Sequence, residues 1–183
     1  MTTPWVVTRE WEGQTVCVIG AGPEMSEELA ERARGLKTIV CNRAVRFCSW
    51  ADVFIGLDPR HPFYADPGDF KGLRVCGVEC ELDALYAGMW YYTVRISEGH
   101  TIEIRNNAIA AIMLAERMGA AKILLLGFDT LRYEEIHRGT GFYGLTQGLK
   151  QIIQELRSKG IEVEQFDSEN QKPGTRPARR SRV

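Results

Sequence analysis

Gly20-Ala21-Gly22-Pro23 follows directly on the apolar run Thr15-Val-Cys-Val-Ile19. A strand that empties into Gly-x-Gly lets a backbone come close to something else, and a helix starting there offers unpaired N–H groups to a phosphate. Other chemically useful residues also follow apolar runs. Asn42-Arg43 follows Thr38–Cys41, Asp58 follows Val53–Ile55, and Asp129 follows Lys122–Leu126. Asn106-Asn107 opens an apolar helical stretch, and His137, Arg138 and Tyr143 lie in the polar, glycine-bearing stretch Tyr133–Tyr143.

These residue types suit transfer from a nucleotide-activated donor to a hydroxyl. That chemistry needs a held nucleotide, a stabilised leaving phosphate and a base. Gly20, Ala21, Gly22, Pro23 and Asn42 would hold the nucleotide, because an Asn amide both donates and accepts. Asn106 and Asn107 would bind phosphate or ribose at a helix N-terminus. His137, with an ordinary imidazole pKa near ~6.5, is the candidate base. Arg138 and Tyr143 would neutralise and hydrogen-bond the departing phosphate. Asp58 and Asp129 would suit Mg²⁺ bridged to phosphates.

Each residue has a plainer reading that stays open. The glycines can serve only a strand-to-helix turn, and the two asparagines can simply cap a helix. Asp58, before Pro59, can start a turn; Asp129 can cap a loop; His137 can be a surface residue. A second enzymatic reading also stays open. The G-x-G-x-x-G pattern fails at its third glycine, where Met25 stands, and no acid follows the second strand. Arg43 is there instead, where it would hold the 2′-phosphate of NADP in an oxidoreductase. A third reading is a non-catalytic module that binds or sequesters a nucleotide.

The elements that must position these residues alternate in type. Thr15–Ile19, Thr38–Cys41, Val53–Ile55, Leu73–Val78, Lys122–Leu126 and Ile161–Phe166 read as strands. Glu24–Arg34 reads as a helix with Pro23 at its start. Asn106–Met118 reads as a helix ended by Gly119. Leu145, Leu149, Ile152, Ile153 and Leu156 form a helical stripe ended by Gly160. Such alternation predicts an α/β, Rossmann-like, doubly wound and mostly parallel sheet. Met89–Ile96 and Thr101–Ile104 break the pattern and predict a small inserted β-hairpin. Residues 1–13 read as an N-terminal arm, 14–169 as a single nucleotide-binding domain, and 170–183 as a basic, disordered tail.

One ordered set of motifs is more specific. Asn106-Asn-Ala-Ile-Ala-Ala-Ile-Met-Leu-Ala115, then Gly119, then Ile123-Leu-Leu-Leu-Gly-Phe-Asp129 resembles phage-encoded Rossmann-like proteins similar to the archaeal 6-hydroxymethylpterin diphosphokinases. It is similar, more distantly, to bacterial sialyltransferases that use CMP-activated sugar. The turn Gly20–Pro23, Asn42 and Asp58 carry the rest of the likeness, which spans roughly residues 15 to 166. The resemblance implies a nucleotide or nucleotide-sugar donor and a transferase. Ala21 replaces the Asn of the sialyltransferase turn, Asn107-Ala108 replaces a Ser-Gly, and His137 stands alone in a loop that is His-rich in the family.

Composition narrows the class further. The chain has 183 residues, 26% of them charged, with a net charge of −1, which excludes attraction of the whole surface to a polyanion. From Lys172 onward, however, Arg176, Arg179, Arg180 and Arg182 occur without an acid, so nucleic acid is a possible partner of the tail. No run approaches the ~20 apolar residues of a membrane span, and residues 1–12 do not read as a secretory leader. The five cysteines are expected to be reduced thiols of a cytoplasmic protein. Cys76 and Cys80 lack the further ligands that zinc requires.

Overall fold

The computed structural model describes residues 7–23, 25–56, 66–76, 90–91, 95–97, 100–101, 107–128 and 142–166. Strand β1 (Thr15–Ile19) lies inside a seven-stranded sheet with β2 (Lys37–Cys41), β3 (Val53–Ile55), β4 (Leu73–Cys76), β5 (Trp90–Tyr91), β8 (Lys122–Leu126) and β9 (Glu162–Phe166). The order is β5-β4-β3-β2-β1-β8-β9, and every pairing is parallel. The fold is therefore α/β and Rossmann-like.

β-Branched and apolar residues fill both faces, as a covered parallel sheet requires. Val16, Val18, Ile39, Cys41, Ile123, Leu125 and Val163 face helices α2 (Asn107–Arg117) and α3 (Phe142–Ser158). Cys17, Ile19, Val40, Leu124, Leu126 and Phe166 face the other layer, built from α1 (Glu27–Glu31) and the connection after β2. In α2, Ala110, Ala111 and Ala115 are buried beside Ile112, Met113 and Leu114. Small side chains let this helix lie close on β1 and β2.

Both long helices end as the glycines imply. Gly119 takes φ +99°, with Ala120 N–H donating to the Ala115 carbonyl and Gly119 N–H to that of Glu116. Gly160 takes φ +84°, and Ile161 N–H donates to the Leu156 carbonyl. A left-handed C-terminal residue closes the last carbonyls in this way.

Three expectations need correction. The first helix does not run from Glu24 to Arg34; it spans Glu27–Glu31, with Ser26 as its N-cap. A Gly22–Met25 turn occupies the place of its first residues, and the bonds of Arg32, Ala33 and Arg34 tighten to the third residue back. The stretch read as one hairpin divides among the described residues. β6 (Arg95–Ser97) and β7 (His100–Thr101) pair antiparallel, while Trp90–Tyr91 leaves the hairpin to pair with β4 at the sheet edge. Finally, Tyr143 is not in a loop but in the first turn of α3.

Residues 11–13 dock on the end of α2. Trp11 is 4% exposed, its N–H donates to the Met118 carbonyl, and Gly13 N–H donates to that of Gly119. Among the described residues no helix is long and apolar enough to cross a membrane. Emptying the Trp11 site leaves a cavity that the strand ends around it cannot fill. Trp11→Ala should therefore cost about 3–5 kcal/mol, read as a lowered urea midpoint with an unchanged slope.

Candidate functional site

The chain passes from β1 to β2 on one side of the sheet and later returns to β8 on the other. In open parallel sheets ligands bind beyond the strand ends at such a reversal. Here the two exits stay paired past the strands. Gly20 N–H donates to the Leu126 carbonyl at 2.8 Å, and Gly22 N–H donates to the Gly127 carbonyl at 3.0 Å. A Cβ on Gly20 would lie 2.7 Å from the Gly127 oxygen and 3.2 Å from the Phe128 ring. A Cβ on Gly127, at φ +66°, would lie 2.6 Å from the Gly20 oxygen.

The glycines of the first turn thus have a packing cause. Gly22 directs its N–H to Gly127, not outward. Helix α1 adds little for a phosphate, because the Ser26 hydroxyl accepts from Leu29 N–H and Glu27 and Glu28 place negative charge in the first turn. Ala21 is half-buried against the α1-side core and Pro23 is exposed.

The more informative convergence is at the next strand. Asn42 directly follows β2 with φ +52°, a left-handed conformation that Asn tolerates better than most residues. Its Oδ1 accepts from Asn107 Nδ2 at 2.5 Å, and the Cys41 thiol donates to the Asn107 carbonyl at 3.6 Å. Two residues singled out separately in the sequence therefore meet. The bond pins the first turn of α2 above the carboxyl end of β2, so the positive end of an 11-residue helix points over the strand ends. The NH₂ group of Asn42 takes no part in this bond. Burial pushes the Cys41 thiol up to about 12, so it stays a neutral donor at ordinary pH.

Arg43 is exposed on the short 3₁₀ segment Asn42–Arg46 that follows. Asp58, Asn106, Asp129, His137 and Arg138 lie outside the described residues, as do Cys80 and the tail. Among the described residues no three His, Cys, Asp or Glu side chains cluster as a metal site. A cavity of about 260 Å³ lies elsewhere, between α3 and β9, lined by Leu125, Lys150, Arg157 and Gln165.

Sequence reasoning missed Gln165, whose Nε2 donates to the Phe128 carbonyl at 3.2 Å and ties β9 to the β8 exit. The available signal was a polar residue two places beyond the core residue Val163, on the same face of a strand. It also missed Ser26 as the cap.

A scan against models of protein families and searches of curated proteins and of solved structures gave no match to this chain.

Asn42→Gly keeps the left-handed backbone and loses only the bond to Asn107. It should cost about 1 kcal/mol, whereas Asn42→Val should cost about 1–3 kcal/mol more through backbone strain, both read by chemical denaturation. Cys41 and Cys48 both stand near 12, above the thiol range of an unfolded chain. The unfolded state therefore releases these protons first. Stability is full below about pH 8 and falls as pH rises toward about 12. Urea midpoints across that range, with iodoacetamide mapping of Cys17, Cys41 and Cys48, should show a decline on the alkaline side and no labelling of the native protein at neutral pH.

Proposed function

We propose that this chain binds a nucleotide or nucleotide-sugar at the carboxyl ends of β1, β2 and β8 and transfers a glycosyl or diphosphoryl group from it to a hydroxyl acceptor. The observation that carries the reading is the Asn42–Asn107 bond, which aims the N-terminus of α2 at the strand ends. A diphosphate there would meet the favourable dipole of the helix N-terminus. Asn42 would offer its NH₂ to ribose or base. The α2 end is a better phosphate seat than α1, whose first turn carries Glu27 and Glu28.

In this mechanism the acceptor hydroxyl gives its proton to His137 and attacks the activated centre. The nucleotide phosphate leaves as Arg138 and Tyr143 balance its growing charge. The position of Tyr143 in the first turn of α3 fits this role, because that turn follows the stretch holding His137 and Arg138. Asp58 and Asp129 would hold Mg²⁺, which would screen the phosphates when bound. The NADP reading keeps one supporting observation, the exposed Arg43 directly after β2.

Thermal melting with CMP, CDP, UDP, ATP and NADP, each with and without Mg²⁺, ranks these ligands. A rise with a nucleoside diphosphate, reduced at least tenfold in affinity by Asn107→Asp, is the expected result, because the new carboxylate opposes phosphate. A rise with NADP alone, abolished by Arg43→Ala, would replace the transferase by the oxidoreductase. Donor breakdown unchanged by His137→Ala would remove the assigned base, and tight binding without turnover would support the sequestering module.

A further inference from the structure

Strand β9 ends the sheet: it pairs with β8 on one side and with no described strand on the other. In a parallel ladder, alternate residues turn both backbone groups toward the same neighbour. Glu162 N–H donates to the Ala121 carbonyl at 3.1 Å, so Glu162, Glu164 and Phe166 bond inward to β8. Val163 and Gln165 then direct N–H and C=O outward. One described side chain bonds to this outer edge. Arg157 Nη2 donates to the Val163 carbonyl at 2.8 Å, and that oxygen keeps a second lone pair. Among the described residues the backbone N–H groups of Val163 and Gln165 have no acceptor.

The side chains along the edge divide by face. Val163 and Gln165 point to α3, where the cavity of about 260 Å³ is bounded by Ile153, Gln154 and Arg157 and floored by Leu125 and Val163. Among the described residues no carboxylate lines it. Glu162 and Glu164, both exposed, point to the opposite face of the strand. Lys122 Nζ lies 2.8 Å from Glu162 and 2.7 Å from Glu164. One ammonium between two carboxylates leaves that face with a negative charge in excess.

We propose that the outer edge of β9 is a docking site for an extended segment of a partner protein. The segment adds as a further antiparallel strand, with basic side chains toward Glu162 and Glu164 and apolar side chains toward the cavity. Main-chain bonds supply the affinity of such an added strand, and pockets for alternate side chains supply its selectivity. A second copy of β9 fits poorly. The register that pairs Val163 with Gln165 of a second copy sets Glu164 against its own counterpart, and like charges directly opposite are unfavourable. The acids lie on one face while the N–H groups of the edge stay open, so they select a partner strand and do not close the edge. This inference stands apart from the nucleotide reading, because it uses neither Asn42 nor the N-terminus of α2.

Amide NMR of the full chain, titrated with a capped Lys-Val-Lys-Leu-Lys peptide, tests it. Saturable shifts and slowed hydrogen exchange are expected at the Val163 and Gln165 amides. Methylating the peptide's Val and Leu nitrogens, which would face β9, should abolish the shifts. Methylating its central Lys nitrogen, which would face away, should leave them. The peptide Lys-Lys-Lys-Val-Leu, equal in charge, should bind about tenfold more weakly. Glu164→Lys, which reverses the charge, and Gln154→Trp, which fills the cavity, should each weaken binding about fivefold. Both positions are exposed, so both variants should keep the wild-type melting temperature. No saturable shift, equal binding of the two peptides, or indifference to methylation would overturn the proposal. A concentration-dependent dimer that protects the same two amides without peptide would also overturn it, and would give the edge to a second copy.

Discussion

The approach of two backbones at the sheet reversal constrains everything around it. β1 and β8 remain hydrogen-bonded past their ends, through Gly20 N–H to Leu126 and Gly22 N–H to Gly127. Neither Gly20 nor Gly127 has room for a Cβ, since each would meet the other's carbonyl oxygen. The Phe128 ring, 4% exposed, closes over Gly20, and Gln165 holds the Phe128 carbonyl from β9. Three strand exits are thereby fixed relative to one another. A rim built in this way is rigid, and rigid strand ends are what a ligand site on an open sheet needs.

The second constraint acts across the face of the sheet. Buried alanines let α2 sit close on β1 and β2, and Gly119 lets residues 11–13 cross its far end. The helix can then take little axial shift. Its first turn meets Asn42, which adopts a left-handed backbone there. Strain of this kind occurs where a chain must present a side chain in a particular direction. The thiol of Cys41, neutral because buried, supports the same turn from below.

Function and packing therefore divide the glycine-rich motif differently from its first appearance. Gly20 and Gly22 serve the union of two strand exits. The helix end that lies over the strand ends belongs to α2, whose partner Asn42 lies far from it in sequence. The connection after β2 then leaves Arg43, Arg46 and Phe47 exposed. One short segment thus supplies Asn42 to the rim and Arg46 and Phe47 to the surface.

Much of the architecture was written locally. Runs such as Thr15–Ile19 and Lys122–Leu126 are apolar on both faces, and that pattern means a covered parallel strand wherever it occurs. Gly119 and Gly160 end helices through their own backbone freedom. Local signals failed where several starts competed: Pro23 looked like a helix opening, but Ser26 offered a hydroxyl to Leu29 and took the cap. They failed again at Trp90, whose strand-like residues could join a hairpin or the sheet edge. What only the tertiary structure decided are the meetings of distant residues: Gly20 with Gly127, Asn42 with Asn107, Gln165 with Phe128. Periodicity records which side of an element is apolar. It carries no record of which polar side chain on one element will face another, because that depends on the order and spacing of strands set by packing of the whole core.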